Sequence, residues 1–419
     1  MKHNFYAGDT QLNYCVNCDI DYGTSGNDDK QITCYNCGTK FRNKYAGLAL
    51  SGGGYRAALF HLGSLWRLNE AGWLKRLAEV TSVSGGSITA ACLGLSWNRL
   101  KFEENGVANN FVEEIVPPIR NLCSKTIDVD SLLMGLIDPF RRPIDYIAAH
   151  FRKELFGETT LQDLPLDDQG PRFTIYATNL QTGASVRFSR PYLADYHLGK
   201  IESPRIQLAT VVAASCALPP ILSPLVIDLD PRDWKDWDKD KIGSIAFDKL
   251  KLRSHLYLTD GGVYDNLGLE RVWDRYATVL VSDAGAPFRI TTGSFGFRFS
   301  EVLRAFKAVS IVTEQTRSLR KRWLISDMKH GLVRGTYWGI GTHIRDYQLE
   351  AHGCAQPLID DSTMTRSLSY IRTRLNRFSA GEQERLINWG YTLADAAMRR
   401  HVLDKETKPG TLPYPERFH

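Results

Sequence analysis

Three glycine-rich turns carry the residue types that acyl transfer needs. The first is Gly52-Gly53-Gly54, whose successive backbone N–H groups lie at the start of a predicted helix and can hold an anion. The second is Ser82-Val83-Ser84-Gly85-Gly86, which follows the nucleophile-elbow pattern with a serine in place of the usual first glycine. The third is Asp260-Gly261-Gly262, which offers a carboxylate base. Together they could supply an oxyanion hole, a nucleophile and a base.

The glycine loop also fits two other functions less well. Gly52-x-Gly54-x-x-Ala57 matches a dinucleotide-binding fingerprint, but that motif needs an acidic residue at the end of the next strand. Glu79 instead begins that strand, and the serine elbow follows its end. A phosphate-binding P-loop would end in Gly-Lys-Ser/Thr, which Arg56-Ala57-Ala58 does not supply. Each motif alone could be structural, but all three in this order favour catalysis.

The elements that must position these turns begin near Tyr45, where short apolar runs alternate with helical patterns. Strands are predicted over 46–51, 79–83, 172–178, 186–189, 255–258 and 277–282, and helices over 56–71, 206–214, 300–319, 364–378 and 380–400. This alternation predicts an α/β domain built on a βαβ sheet. All three turns then follow strands, and active sites of open α/β sheets lie at the carboxyl ends of strands.

The three motifs and two supporting blocks resemble the patatin-like phospholipase family. The blocks are Tyr-Ala-Thr-Asn-Leu-Gln-Thr-Gly over 176–183 and Ala-Ala-Ser-Cys-Ala-Leu-Pro-Pro over 213–220. The likeness spans roughly 45 to 400. It implies an acyl hydrolase domain over 45–419, an α/β three-layer sandwich with a central, mostly parallel sheet. It also implies a serine acyl-ester hydrolase of the phospholipase A or lysophospholipase type.

The resemblance further implies a Ser–Asp dyad that needs no cofactor. Ser84 would be the nucleophile, Asp260 the base, and Gly52, Gly53 and Gly54 the oxyanion donors. Arg56 is similar to an arginine of the cytosolic calcium-dependent phospholipases and would hold a lipid phosphate or brace the loop. A free aspartate, with a pKa of about 3.9, is a poor base for a hydroxyl. We therefore expect burial to raise the pKa of Asp260.

A histidine base is the competing hypothesis. The candidates include His61, His197, His255, His330 and His343. His61 falls within the first predicted helix and His255 begins a strand, so neither is expected at the carboxyl end of a strand.

Four cysteines near the start of the chain have the spacing of a metal site. Cys15, Cys18, Cys34 and Cys37 form the pattern C-x2-C-x15-C-x2-C, which resembles a zinc ribbon and predicts a tetrahedral structural zinc. The alternatives are two disulfides, which a reducing compartment disfavours, or four cysteines with no common role. The segment 1–44 carries five basic and five acidic residues, so we expect a stabilising or protein-contact role and no nucleic-acid binding.

Composition suggests where the protein works. The net charge is only +5, no apolar run approaches the roughly 18 residues of a membrane span, and the first residues lack the apolar core of a signal peptide. We expect a cytoplasmic protein that makes peripheral membrane contact with its phospholipid or lysophospholipid substrate. Two basic, apolar-edged segments, 310–325 and 364–378, could lie on anionic lipid as helices. The alternative functions are a lipid transacylase or a latent, partner- or ligand-regulated effector that degrades membranes, for example in bacterial defence.

Overall fold

A computed structural model describes residues 46–138, 141–220, 222–237, 248–273, 275–276, 278–288, 290 and 300–417, together with four short strands before residue 45. The strands are β1 Leu12–Cys15, β2 Ile20–Thr24, β3 Ile32–Thr33, β4 Lys40–Phe41, β5 Ala46–Leu50, β6 Leu77–Val83, β7 Arg172–Asn179, β8 Ser185–Phe188, β9 Tyr192–Asp195, β10 Gly199–Glu202, β11 Leu225–Asp228, β12 Trp234–Lys235, β13 His255–Asp260, β14 Thr278–Asp283 and β15 Arg334–Gly339. The helices are α1 Gly54–Glu70, α2 Gly85–Ser96, α3 Phe111–Cys123, α4 Asp128–Ile137, α5 Pro143–Phe151, α6 Leu208–Ser215, α7 Lys249–Ser254, α8 Gly262–Asp265, α9 Ser300–Lys329, α10 Thr363–Leu368 and α11 Ala380–His401.

Five parallel strands form the centre of the main sheet. They lie in the order β7-β6-β5-β14-β15, and every neighbouring pair among them runs parallel. Beyond β7 the sheet continues through β8, β9, β10 and β12 in antiparallel pairs. A separate antiparallel pair, β11 and β13, joins the sheet where β13 pairs with β7. The predicted α/β fold with a parallel centre is confirmed, whereas the antiparallel extension was not predicted.

Helices cover both faces of this sheet because its central strands are apolar on both sides. Leu48 and Leu280 face one layer, where they pack in a core with residues of α1, α2 and α11. Ala49 and Val281, their neighbours along the same strands, face the other layer, which includes Leu324 of α9. The alternation of side chains along β5 and β14 therefore produces the three layers.

The predicted helix over 364–378 is largely wrong. Helix α10 ends at Leu368, local turn bonds continue to Ile371, and from Arg374 the backbone bonds to other elements. The carbonyl of Arg374 accepts the N–H of Tyr55, the carbonyl of Leu375 accepts the N–H of Ile127, and Phe378 donates to Cys123. These tertiary hydrogen bonds replace the helical ones. The predicted helix over 300–319 is confirmed and extends to residue 329.

The strands before residue 45 form two separate antiparallel pairs. β1 pairs with β2, and β3 pairs with β4. By sequence, each C-x2-C motif therefore falls at or between the strands of one pair. Cys15 ends β1, while Cys18, Cys34 and Cys37 lie outside the described residues. The zinc ribbon, its ligands and the boundary at residue 44 remain predictions.

Candidate active site

The carboxyl ends of β6 and β13 meet along one edge of β7. Val83, the last residue of β6, lies opposite Tyr176, while Asp260, the last residue of β13, lies opposite the adjacent Ala177. The two strands run in opposite directions and thus reach this point from opposite ends of the sheet. Ser84 follows Val83 directly, so the topology brings the predicted nucleophile and the predicted base together.

Ser84 has the backbone conformation of a sharp strand-to-helix turn. Its φ of 50° lies in the left-handed region, which is uncommon for a residue with a side chain and costs roughly 1–3 kcal/mol. The N–H of Ser84 donates to Oγ of Ser215 over 2.8 Å, which holds the turn. Gly85 is required beyond it, because an added Cβ there would lie 2.0 Å from the carbonyl oxygen of Gly54. The elbow is thus packed directly against the glycine loop.

Asp260 is buried, and it lines the same cleft as Ser84. Burial raises the pKa of Asp260 from 3.8 to about 6, against the opposing effects of hydrogen bonds from Gly262 and Ser84. The Gly262 N–H donates to Oδ1 over 2.7 Å and fixes the carboxylate. The expected rise in pKa is therefore present, and Asp260 can change its protonation state near neutral pH.

The end of α6 connects the two halves of this site. Ser215 receives the Ser84 N–H through its hydroxyl and the Gly261 N–H through its carbonyl, at 3.4 Å. Ala217 receives the Asp260 N–H through its carbonyl at 2.9 Å. Sequence reasoning missed this role, although both residues lie in the block over 213–220 that carries part of the family resemblance. A serine directly after an apolar helical run was the available signal.

The glycine loop is held on both flanks by Ala284, the first residue after β14. The Ala284 N–H donates to Oγ of Ser51 over 2.7 Å, and its carbonyl accepts two hydrogen bonds from the Arg56 guanidinium at 2.8 and 3.0 Å. Arg56 also donates to the carbonyl of Ile371 at 2.7 Å. These contacts fit the bracing role predicted for Arg56 and direct its guanidinium toward backbone carbonyls.

One of the three predicted oxyanion donors is already engaged within the protein. The N–H of Gly52 donates to the carbonyl of Asn266 over 3.1 Å. Gly53 and Gly54 are the remaining donors of the loop, and both line the same cleft as Ser84 and Asp260.

His61 lies behind the glycine loop and not in the cleft. Its Nδ1 bonds to Oγ of Ser282 at 2.8 Å and its Nε2 to the carbonyl of Ser51 at 2.9 Å. Burial lowers the pKa of His61 to about 4, against smaller opposing effects. Both ring nitrogens are occupied, and the cleft lining, over the described residues, includes no histidine. The histidine-base hypothesis is not supported by this geometry.

The cleft has a volume of about 790 Å³ and contains both apolar and basic side chains. Its larger apolar side chains include Leu218, Leu222, Val263, Phe288, Val309 and Leu375. Its basic residues are Arg56, Lys307, Arg317, Arg372 and Arg374. Arg374 pairs with Asp128 through Nε at 2.9 Å, while half of its side chain remains exposed. The cleft can thus accommodate an acyl chain and an anionic group together.

No metal cluster and no membrane span emerges from the described residues. No group of three or more His, Cys, Asp or Glu side chains is arranged there to hold a metal ion. None of the helices with described placement is both long and apolar enough to pass through a bilayer.

Comparison with known proteins gives one family match and several similar structures. The model of the family described as patatin-like phospholipase matches residues 48–273, more than half of the chain. Human GIVD cytosolic phospholipase A2 is 13% identical with a TM-score of 0.47, covering 85% of this chain and 61% of its own. VipD from Legionella pneumophila is 17% identical with a TM-score of 0.33, covering 88% and 70%. The chain therefore spans less than two thirds of the human structure. The search of curated proteins returned no match.

Proposed function

The chain belongs to the patatin-like phospholipase family, and we propose that it hydrolyses acyl esters of phospholipids or lysophospholipids with Ser84 as nucleophile and Asp260 as base. The observation that carries this proposal is the end-to-end meeting of β6 and β13 on β7. A hydroxyl and a carboxylate separated by more than 170 positions in the sequence thereby become neighbours in a cleft lined by the glycine loop.

The reaction would proceed through an acyl-enzyme. Oγ of Ser84 attacks the ester carbonyl carbon while its proton passes to Asp260. The negative charge that develops on the carbonyl oxygen is stabilised by the N–H groups of Gly53 and Gly54. Collapse of this intermediate breaks the bond to the alcohol, which leaves with the proton from Asp260. A water molecule then gives its proton to Asp260 and attacks the acyl group, which releases the fatty acid and returns the proton to Ser84.

Burial makes Asp260 a better base than a free aspartate. A carboxylate whose pKa is about 6 holds a proton more strongly than one at 3.8, and yet it remains mostly ionised at pH 7. Alignment by the Gly262 N–H keeps the carboxylate in place while the proton moves. This arrangement supports a dyad without a third member.

The basic residues of the cleft suggest where a lipid phosphate would lie. Arg56 directs its guanidinium to the carbonyls of Ala284 and Ile371, so we assign it to the glycine loop instead of the substrate. Arg374 is half exposed in the cleft, and only its Nε is used in the contact with Asp128. A guanidinium of this kind suits a phosphate oxygen. We therefore propose Arg374 as the contact of the head group.

Product analysis by mass spectrometry on a lipid extract tests the function. We expect wild-type protein to release fatty acids, and Ser84→Ala to release none above background. Ser131→Ala is the matched control, because Ser131 is a buried serine outside the cleft lining. Equal product from wild type and Ser84→Ala would refute the assignment, whereas acyl groups found on a lipid alcohol would indicate a transacylase.

A further inference from the structure

Helix α9 exposes an apolar stripe to solvent. Val312 and Trp323 are 61% and 58% exposed, and Leu319 lies between them on the helix surface and is also exposed. At 3.6 residues per turn these three side chains fall within about 40° around the helix axis, whereas exposed Ile311 lies about 100° from Val312. We name Val312, Leu319 and Trp323 the α9 stripe. Surface helices normally bury such a stripe, so its exposure requires an explanation.

Two arginines of α9 point toward the protein, whereas the apolar stripe faces solvent. Arg317 is buried on the inner side, where it pairs with Asp283 at 3.1 Å and with Glu314. Arg320 also turns toward the protein, 3.6 Å from Asp265. The predicted basic face over 310–325 is therefore wrong for these two arginines, because buried carboxylates attract them inward.

The outer side of α9 nevertheless keeps a positive character. Arg304, Arg322 and Lys329 are exposed, and none of the exposed α9 residues that the structure describes is acidic. An apolar stripe with a tryptophan and flanking basic residues suits a bilayer surface, where apolar acyl chains lie beneath charged head groups. The apolar side chains would enter the acyl boundary, and the cations would meet anionic head groups.

The stripe is adjacent to the cleft that contains Ser84. Val309 lines that cleft and lies one turn before Val312, about 60° around the helix, while Ser310 and Thr313 line the cleft from a face of α9 turned further from the stripe. Phe288 in the same lining is partly exposed, and Ile290, two residues beyond it, is 91% exposed. A lipid leaving a bilayer in contact with α9 would therefore enter the cleft past apolar side chains.

We propose that the α9 stripe is the surface by which this protein docks on an anionic lipid bilayer, with the cleft opening toward the lipid. The proposal rests on the hydrolase function proposed above, because that function places the substrate in a bilayer. A lipid surface is a better occupant than a second copy of the chain. The stripe continues into the lining of a lipid-binding cleft, and the basic residues beside it would face the same basic residues in a symmetric dimer.

Vesicle cosedimentation of the full chain tests the docking surface. The double variant Val312→Asp with Trp323→Asp is compared with wild type on phosphatidylcholine vesicles that contain or lack phosphatidylglycerol. Both proteins also carry Ser84→Ala, so that the vesicles stay intact. We expect wild type to prefer anionic vesicles and the double variant to bind them at least tenfold more weakly, since two apolar contacts are lost. The matched control is Leu250→Asp, at a 67% exposed leucine on α7 outside the cleft lining, which should bind like wild type.

Activity separates a failure of docking from a failure of the proposed function. With Ser84 restored, the double variant should lose at least tenfold in rate on vesicle substrate but retain the wild-type rate on a water-soluble p-nitrophenyl ester. Undiminished vesicle binding by the double variant would overturn the docking proposal, as would a wild-type dimer that the double variant dissociates. An inactive wild type on the soluble ester would instead refute the hydrolase function, whatever the binding result.

Discussion

Replacing Asp260 by asparagine should inactivate the protein and make it more stable at neutral pH. Burial raises the pKa of Asp260 from 3.8 to about 6, so the folded protein carries an ionised carboxylate in a site that disfavours the charge. A pKa difference of this size corresponds to about 3 kcal/mol of folding free energy once the group is ionised. Asparagine has nearly the same shape, carries no charge, and can still accept the hydrogen bond from Gly262. We expect a gain of about 1–3 kcal/mol.

The stability difference should depend on pH in a defined direction. Because the folded-state pKa is raised, the stabilising effect of the protonated carboxyl is fully present below pH 3.8 and is lost as pH rises through about 6. The advantage of Asp260→Asn should therefore be small at pH 4 and complete at pH 7.5. The wild-type kcat/KM on a soluble ester should fall about tenfold per pH unit below 6, since only the ionised form is a base.

Urea unfolding at several pH values measures the stability difference, and initial rates across the same pH range measure the loss of activity.

Asp283→Asn is a control whose expected change in stability has the opposite sign. Asp283 is also buried, which raises its pKa, but Arg317, the Tyr337 hydroxyl and the Gly285 N–H together outweigh this effect and hold the pKa below its usual value. Its replacement should destabilise the fold at pH 7.5 because it removes the partner of a buried arginine. Reduced stability of Asp260→Asn at pH 7.5, or a wild-type rate that stays constant from pH 7 to 4.5, would refute the reasoning.

Three other predictions follow from the contacts described. Ser215→Ala removes the acceptor of the Ser84 N–H, so we expect kcat on the soluble ester to fall about tenfold, with a loss of about 1–2 kcal/mol in stability; an unchanged kcat would contradict this. Arg374→Gln should raise KM for phospholipids but not for p-nitrophenyl esters, and equal changes for both would exclude a head-group role. Elemental analysis should find one zinc per chain, absent in Cys34→Ser, with ester hydrolysis unaffected; a zinc-free wild type would exclude the ribbon.

The sequence was sufficient to predict the chemistry-bearing turns, but not the way in which they meet. Ser84 and Asp260 were each placed at the carboxyl end of a strand, as observed. If both strands ran parallel to β7, their carboxyl ends would lie at the same edge of the sheet, and the proximity of Ser84 and Asp260 would follow directly. However, β13 is antiparallel to β7 and meets β6 end to end, a consequence of long-range pairing that local sequence patterns do not encode.

Local patterns also failed where distant groups competed for the same backbone or side chain. The residues after Leu368 have a helical pattern, but Tyr55 and Ile127 take their carbonyls. Arg317 belongs to a segment that looks like a basic surface helix, yet Asp283 draws it inward. The bond between Ser84 and Ser215 links residues 131 positions apart. In each case the deciding partner lies on another element, so no window of neighbouring residues contains it.

Ala284 and its neighbour Asp283 connect helix α9 to the glycine loop. Ala284 hydrogen-bonds to Ser51 and Arg56 on the two sides of the glycine loop, and Asp283 beside it forms an ion pair with Arg317 of α9. Helix α9 and the glycine loop are thus connected through two consecutive residues, so we expect a displacement of the helix to reach the loop through these contacts.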